Sequence, residues 1–235
     1  MATSSDLEAA RIARLPDTAY YIPDFVTLEE EINSVPLPRW TQLSHRRLQT
    51  WPSTLTKTNT LLAASLPAWL HESIVSPRLD TLGCFAGSPH QTPNHVLINE
   101  YRPGQGIMPH EDGSAYYPLV ATVSLGAPIV LDLYEKGPDN DEKVNRNPAF
   151  RILQEPRSLL ITTNELYTQY LHGIAERLTD EDLGVDSIAN WEMLGDTQPY
   201  RNSSYERQTR VSLTYRDVLK VAKVGNSVKF LATGR

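Results

Sequence analysis

Between Asn99 and Gly113 the chain reads N-E-Y-R-P-G-Q-G-I-M-P-H-E-D-G, gathering amide, phenol, imidazole and carboxylate groups around a turn rich in proline and glycine. On a strand, side chains two apart share a face, so His110 and Asp112 can aim at one ion while Glu111 points away. Two histidines and one carboxylate on one face of an octahedral ion leave three positions open, the arrangement of non-haem Fe(II) sites. The H-x-D spacing carries little weight by itself: six His and 13 Asp in 235 residues give roughly 0.3 chance matches. The reading therefore depends on what else the chain supplies.

A second histidine, His172, lies 62 residues downstream at the end of L-Y-T-Q-Y-L-H-G-I, within reach of the first pair only if the fold brings distant strands together. The plainer alternative is a buried, hydrogen-bonded core histidine. Further on, R-V-S-L-T-Y-R places Arg210, Ser212, Thr214 and Arg216 on one face of a strand and Val211, Leu213 and Tyr215 on the other. An arginine pointing into a barrel needs an anion, because an unpaired buried guanidinium costs several kcal/mol or more. The alternative is a surface strand with solvated arginines. Asn99 and Tyr101 also share a face and could offer hydrogen bonds to a small carboxylate.

These groups need elements to hold them. The first 80 residues read as helices and loops: Thr27 to Glu30 has capping-box spacing, and P-A-W-L-H-E-S-I-V after Ser65 is a second helix candidate. From Asn94 onward, short apolar or alternating runs follow one another between turn residues: H-V-L-I-N-E-Y, Y-P-L-V-A-T-V-S-L, P-I-V-L-D-L-Y, S-L-L-I-T-T, Y-L-H-G-I and T-R-V-S-L-T-Y-R. The expected fold is mainly β, an antiparallel sandwich or jelly roll with a helical N-terminal layer. Two polar segments, Glu135 to Asn147 and Glu176 to Gln208, read as exposed insertions.

Composition sets the outer bounds. A chain of 235 residues can bury one sizeable core, so a single domain is expected, with 1–93 as helical layer and substrate lid and 94–220 as the β core. The net charge of −6 argues against a generally basic nucleic-acid coat. Cys84 is the lone cysteine, which excludes an intrachain disulfide and a cysteine-based metal site and fits a reducing compartment. The first residues carry acids and no apolar run, and the apolar region from Leu119 to Leu133 is interrupted and too short for a bilayer. No membrane partner is expected, and the location expected is intracellular, cytoplasm or nucleus.

Taken in order, N-E-Y-R-P-G-Q-G-I-M-P-H-E-D-G, H-G-I and R-V-S-L-T-Y-R resemble the AlkB-type Fe(II)/2-oxoglutarate dioxygenases over about Asn94 to Arg216. The runs R-W-T-Q-L-S, R-R-L-Q-T-W, V-S-L-G and E-P-R-S-L-L resemble the sixth AlkB-homologue subgroup in particular. The resemblance implies a double-stranded β-helix of cupin-like form holding Fe(II) through His110, Asp112 and His172. It implies 2-oxoglutarate chelating that iron, with Arg210 on the far carboxylate assisted by Tyr101 and Ser212, and with Asn99 and Arg216 nearer its other end. For Arg216 that placement strains the geometry, since six residues of strand span about 20 Å. In the family, O2 converts 2-oxoglutarate to succinate while a C–H bond is hydroxylated, and an N-methyl target then loses formaldehyde. The implied target is alkylated or single-stranded nucleic acid, with a protein side chain as alternative and a binding module of little turnover as a third reading.

Two features depart from the pattern. Base-repairing members carry an Asp two residues after the ligand Asp, and Ser114 stands there instead, which weakens an inference of alkylated-base repair. The gap from His172 to Arg210 is long and acid-rich. From Ile32 to His71, by contrast, there is no acidic residue, and Arg46 and Arg47 lie close to Trp51. That segment reads either as a lid whose cations track phosphates while its aromatics stack on a base, or as core anchors with paired arginines.

Overall fold

The computed structural model describes residues 4–16, 19–33, 39–62, 64–136 and 147–222. Fifteen strands follow in chain order: β1 (Ala19–Ile22), β2 (Thr41–Gln42), β3 (Arg47–Trp51), β4 (Thr60–Leu62), β5 (His95–Tyr101), β6 (Ile107–His110), β7 (Leu119–Leu125), β8 (Ile129–Glu135), β9 (Phe150–Gln154), β10 (Leu159–Thr163), β11 (Tyr170–Ile174), β12 (Thr179–Glu181), β13 (Ser204–Glu206), β14 (Arg210–Arg216) and β15 (Lys220–Ala222). Seven of them form a major sheet in the order β1-β10-β7-β14-β5-β3-β2, and four form a minor sheet in the order β6-β11-β8-β9. Both sheets are antiparallel throughout.

Period-two alternation in the major sheet separates two environments. Val96, Ile98, Ala121, Val123, Leu159, Ile161, Leu213 and Tyr215 lie on one face. They pack against Leu70, Ile74, Val75 and Leu79 of a helical stretch over 68–82 and against Phe85. Burial of each such aliphatic side chain stabilises the fold by about 1.5–3 kcal/mol. Leu97, Asn99, Tyr101, Arg210, Ser212, Thr214 and Arg216 face the other way and line a cavity. Ile107, His110, Leu131, Leu133, His172 and Ile174 of the minor sheet close it from the opposite side. This is a jelly roll whose interior is the space between the sheets.

Two expectations change. The capping box is present, with Thr27 and Glu30 exchanging backbone and side-chain bonds of 2.7 and 3.2 Å before the helix Leu28–Asn33, and the helix after Ser65 forms as read. The N-terminal part is nevertheless no purely helical layer, because β1 and β3 pair directly with β10 and β5 and so belong to the major sheet. A-Y-Y-I and R-L-Q-T-W are too short for their alternation to stand out from loop. The second correction concerns 176–208, which is a packed layer rather than an exposed insertion. Leu183, Ile188 and Tyr200 are buried on Val130 and Leu153 of the minor sheet's outer face. Their irregular spacing matches neither a helix nor a strand, so the acids between them dominate the sequence pattern. The segment 135–147 falls largely outside the described residues.

Arg207 ties this layer down through a bidentate bond to Asp180, 2.7 and 2.8 Å, with both side chains buried. Removing one partner of a buried pair strands the other charge, so Asp180→Ala is expected to lower the unfolding free energy by about 3–5 kcal/mol. Urea denaturation measures it. A loss under about 1 kcal/mol would mean that the pair is solvated.

Candidate active site

Register builds the site. β6 and β11 run antiparallel with His110 opposite His172, and their rings lie 4.4 Å apart, centroid to centroid. Two glycines allow the strands to come this close: a Cβ on Gly173 would stand 3.1 Å from the Pro109 nitrogen, and one on Gly106 would stand 2.2 Å from the Ile174 carbonyl oxygen. Asp112 lies just beyond the end of β6. One ligand atom from each of His110, Asp112 and His172 falls within 4.8 Å of the others, close enough to share one cation. Glu111 turns outward to an ion pair with Lys136, as the parity argument expects.

The protonation states suit a metal. His110 Nδ1 lies 2.8 Å from the Met108 carbonyl oxygen; a carbonyl only accepts, so Nδ1 carries the proton and Nε2 keeps its lone pair for an ion. Burial pushes the His172 imidazole down to about 4, with His110 and Arg216 adding to the shift and Asp112 opposing it. It is therefore neutral at pH 7, as a ligand must be.

Arg216 donates from Nη2 to Asp112 Oδ1 and lies over the Tyr116 ring at 5.0 Å. It is thus at the triad end of the cavity, six residues from Arg210, and no backward reach is needed. Arg210 is 2% exposed. Its Nη2 donates to Ser124 Oγ at 2.7 Å and to Gln154 Oε1 at 3.1 Å, while its Nε is buried without a partner. No carboxylate pairs with it among the described residues, and burial pushes its guanidinium down to about 10. A buried, uncompensated cation of this kind calls for an anionic ligand. Ser212 and Tyr101 are buried on the same wall, and burial raises the Tyr101 phenol, so it stays a hydrogen-bond donor. A dicarboxylate and a divalent cation both fit the cavity, which measures about 290 Å³. Sequence reading missed Ser124 and Gln154; Ser124 sits at the cavity parity of β7, but only tertiary structure reveals what it holds.

The N-terminal cationic segment divides by parity. Arg46 enters the cavity, and its Nε donates to Asn99 Oδ1 at 3.1 Å. Arg47 faces the opposite side, where it pairs with Glu100 and stacks over Trp40 at 4.4 Å. Trp51 packs edge-on against Trp69 at 5.6 Å and bonds Gln49 Oε1, so of the two readings the structure matches the core anchor. Ser114 is exposed and lies outside the cavity lining.

Comparison with known proteins agrees with this geometry. The family model of the 2OG-Fe(II) oxygenase superfamily matches residues 23–216. The protein described as probable RNA/DNA demethylase ALKBH6 of Danio rerio is 41% identical over 232 residues, covering 93% of each chain. The uncharacterized protein L905 of Acanthamoeba polyphaga mimivirus is 28% identical over 207 residues, covering 85% of this chain and 84% of that one. Among solved structures, OsALKBH1 superposes with a TM-score of 0.52 at 13% identity, covering 86% of this chain and 99% of that one, a likeness of fold. A jelly roll with one His-Asp-His cluster and a buried arginine inside it defines an oxygenase class, and the chain belongs to the 2OG-Fe(II) oxygenase superfamily. Within it the chain is an AlkB-type 2-oxoglutarate-dependent dioxygenase, with the sixth homologue among its relatives.

Proposed function

We propose that this protein is an oxidative demethylase of alkylated nucleic acid, with His110, Asp112 and His172 holding Fe(II) and Arg210 holding the far carboxylate of 2-oxoglutarate. The observation that carries the reading is the unpaired, buried Arg210 in the same cavity as the three clustered ligands. Fe(II) and 2-oxoglutarate, when bound, supply the oxidation of a C–H bond by O2, with succinate and CO2 released.

The chain's own residues do the positioning. Arg216 fixes Asp112, and the Met108 carbonyl fixes His110 in the tautomer that presents Nε2. Ser124 and Gln154 hold Arg210 in one rotamer. Ser212 and Tyr101 stand beside it to donate hydrogen bonds to the same carboxylate, and Asn99 lies opposite Ser212 on the neighbouring strand. The apolar side chains Leu131, Leu133, Leu160 and Ile174 limit water in the cavity, which strengthens each of these charge interactions.

Support for a nucleic-acid target comes from the relative described as a probable RNA/DNA demethylase. The test is succinate release with Fe(II) and 2-oxoglutarate over a panel of methylated DNA, RNA and peptides. Methylated single strands should raise succinate above the substrate-free rate, with matching formaldehyde. Coupling to peptides alone would overturn the nucleic-acid assignment and leave the dioxygenase chemistry intact.

A further inference from the structure

The charges that face the cavity do not balance. Three guanidinium groups, Arg46, Arg210 and Arg216, line it together with a single inward carboxylate, Asp112, which Arg216 already engages. Glu111 also reaches the rim, but its carboxylate is paired with Lys136 and half exposed to solvent. Neither Arg46 nor Arg210 pairs with a carboxylate among the described residues; Arg46 has the neutral Asn99 amide. A divalent cation and a dicarboxylate cancel each other's charge, so loading the site with both leaves this excess in place. Arg210 has the far carboxylate to answer it. Arg46 does not, and it is the cation left facing the rest of the cavity.

We propose that Arg46 makes this cavity select uncharged or anionic methylated bases over cationic ones. The proposal rests on the nucleic-acid reading above and narrows it to a substrate class. Methylation at a ring nitrogen of cytosine gives a base that is positive at neutral pH, whereas the same methylation of uracil gives a neutral one of nearly the same shape. A unit charge within a protein site changes the binding of a second by roughly tenfold at effective dielectric constants near 20 to 40. Ser114, exposed and outside the cavity lining, brings no carboxylate to offset it.

The experiment uses matched single strands carrying one 3-methyluracil or one 3-methylcytosine. Affinity is measured with Mn(II) and 2-oxoglutarate bound, and turnover with Fe(II). The wild type should favour 3-methyluracil by about tenfold in both readouts. Arg46→Gln should erase most of that preference, while Arg46→Lys, which keeps the charge, should retain it. A merely structural Arg46 would change the affinity for both strands alike and leave their ratio unchanged. An equal or reversed wild-type preference, or a ratio untouched by Arg46→Gln, overturns the proposal and spares the nucleic-acid reading. Failure of the wild type to bind or oxidise either strand overturns this proposal, whereas the nucleic-acid reading falls only if every methylated strand of the panel fails.

Discussion

Arg210→Ala should raise the 2-oxoglutarate requirement by roughly thirtyfold to several thousandfold, the loss of a charge-assisted pair to a desolvated carboxylate costing about 2–5 kcal/mol. The structure adds a second expectation that separates binding from folding. In the wild-type cavity Arg210 is a buried cation with an unpartnered Nε, so removing it relieves an uncompensated charge in the ligand-free protein. Ser124 Oγ already donates to Gln154 Oε1 at 3.2 Å, so these two polar groups stay satisfied without it. The variant should therefore unfold near the wild-type temperature when ligand-free, and lose most of the stabilisation that saturating 2-oxoglutarate gives the wild type. Differential scanning calorimetry with and without the cosubstrate reads both. Unchanged stabilisation would mean that the far carboxylate is held elsewhere in the cavity.

His172→Ala should abolish iron-dependent succinate formation, because His110 and Asp112 alone cannot hold the facial geometry. Its loss should reach the iron affinity itself, by at least about a hundredfold, in contrast to the Arg210 variant. His172 lies between β6 and β8 with its backbone in the β11 ladder, so the substitution removes a ring and leaves the strand pairing in place. Circular dichroism should show an unchanged β-sheet signal. Near-normal iron affinity and turnover in that folded variant would place the third ligand elsewhere.

Much of the fold was legible where strands are long. The six runs from Asn94 onward all form strands, and the H-E-D alternation correctly turned Glu111 outward even though β6 ends at His110. What brings His172 to His110 was not legible from periodicity, since that pairing joins strands 62 residues apart and depends on the whole sandwich. The order of motifs supplied it through resemblance. The N-terminal strands were lost because two to five residues give too little alternation. The layer over 176–208 was lost because its apolar residues follow the shape of the sheet beneath rather than a period of their own. Arg46 and Arg47 teach a different lesson: the structure turns one into the cavity and the other onto Trp40, a division that a cluster of positive charge in the sequence does not show.

Anaerobic titration tests most directly whether one cavity binds Fe(II) and 2-oxoglutarate together, through the visible absorption a 2-oxo acid gives when chelated to Fe(II). The wild type should develop that band with one equivalent of each, the Arg210→Ala variant only at far higher 2-oxoglutarate, and the His172→Ala variant not at all. A wild type without the band, or a His172→Ala variant that retains it at wild-type strength, would contradict the site described.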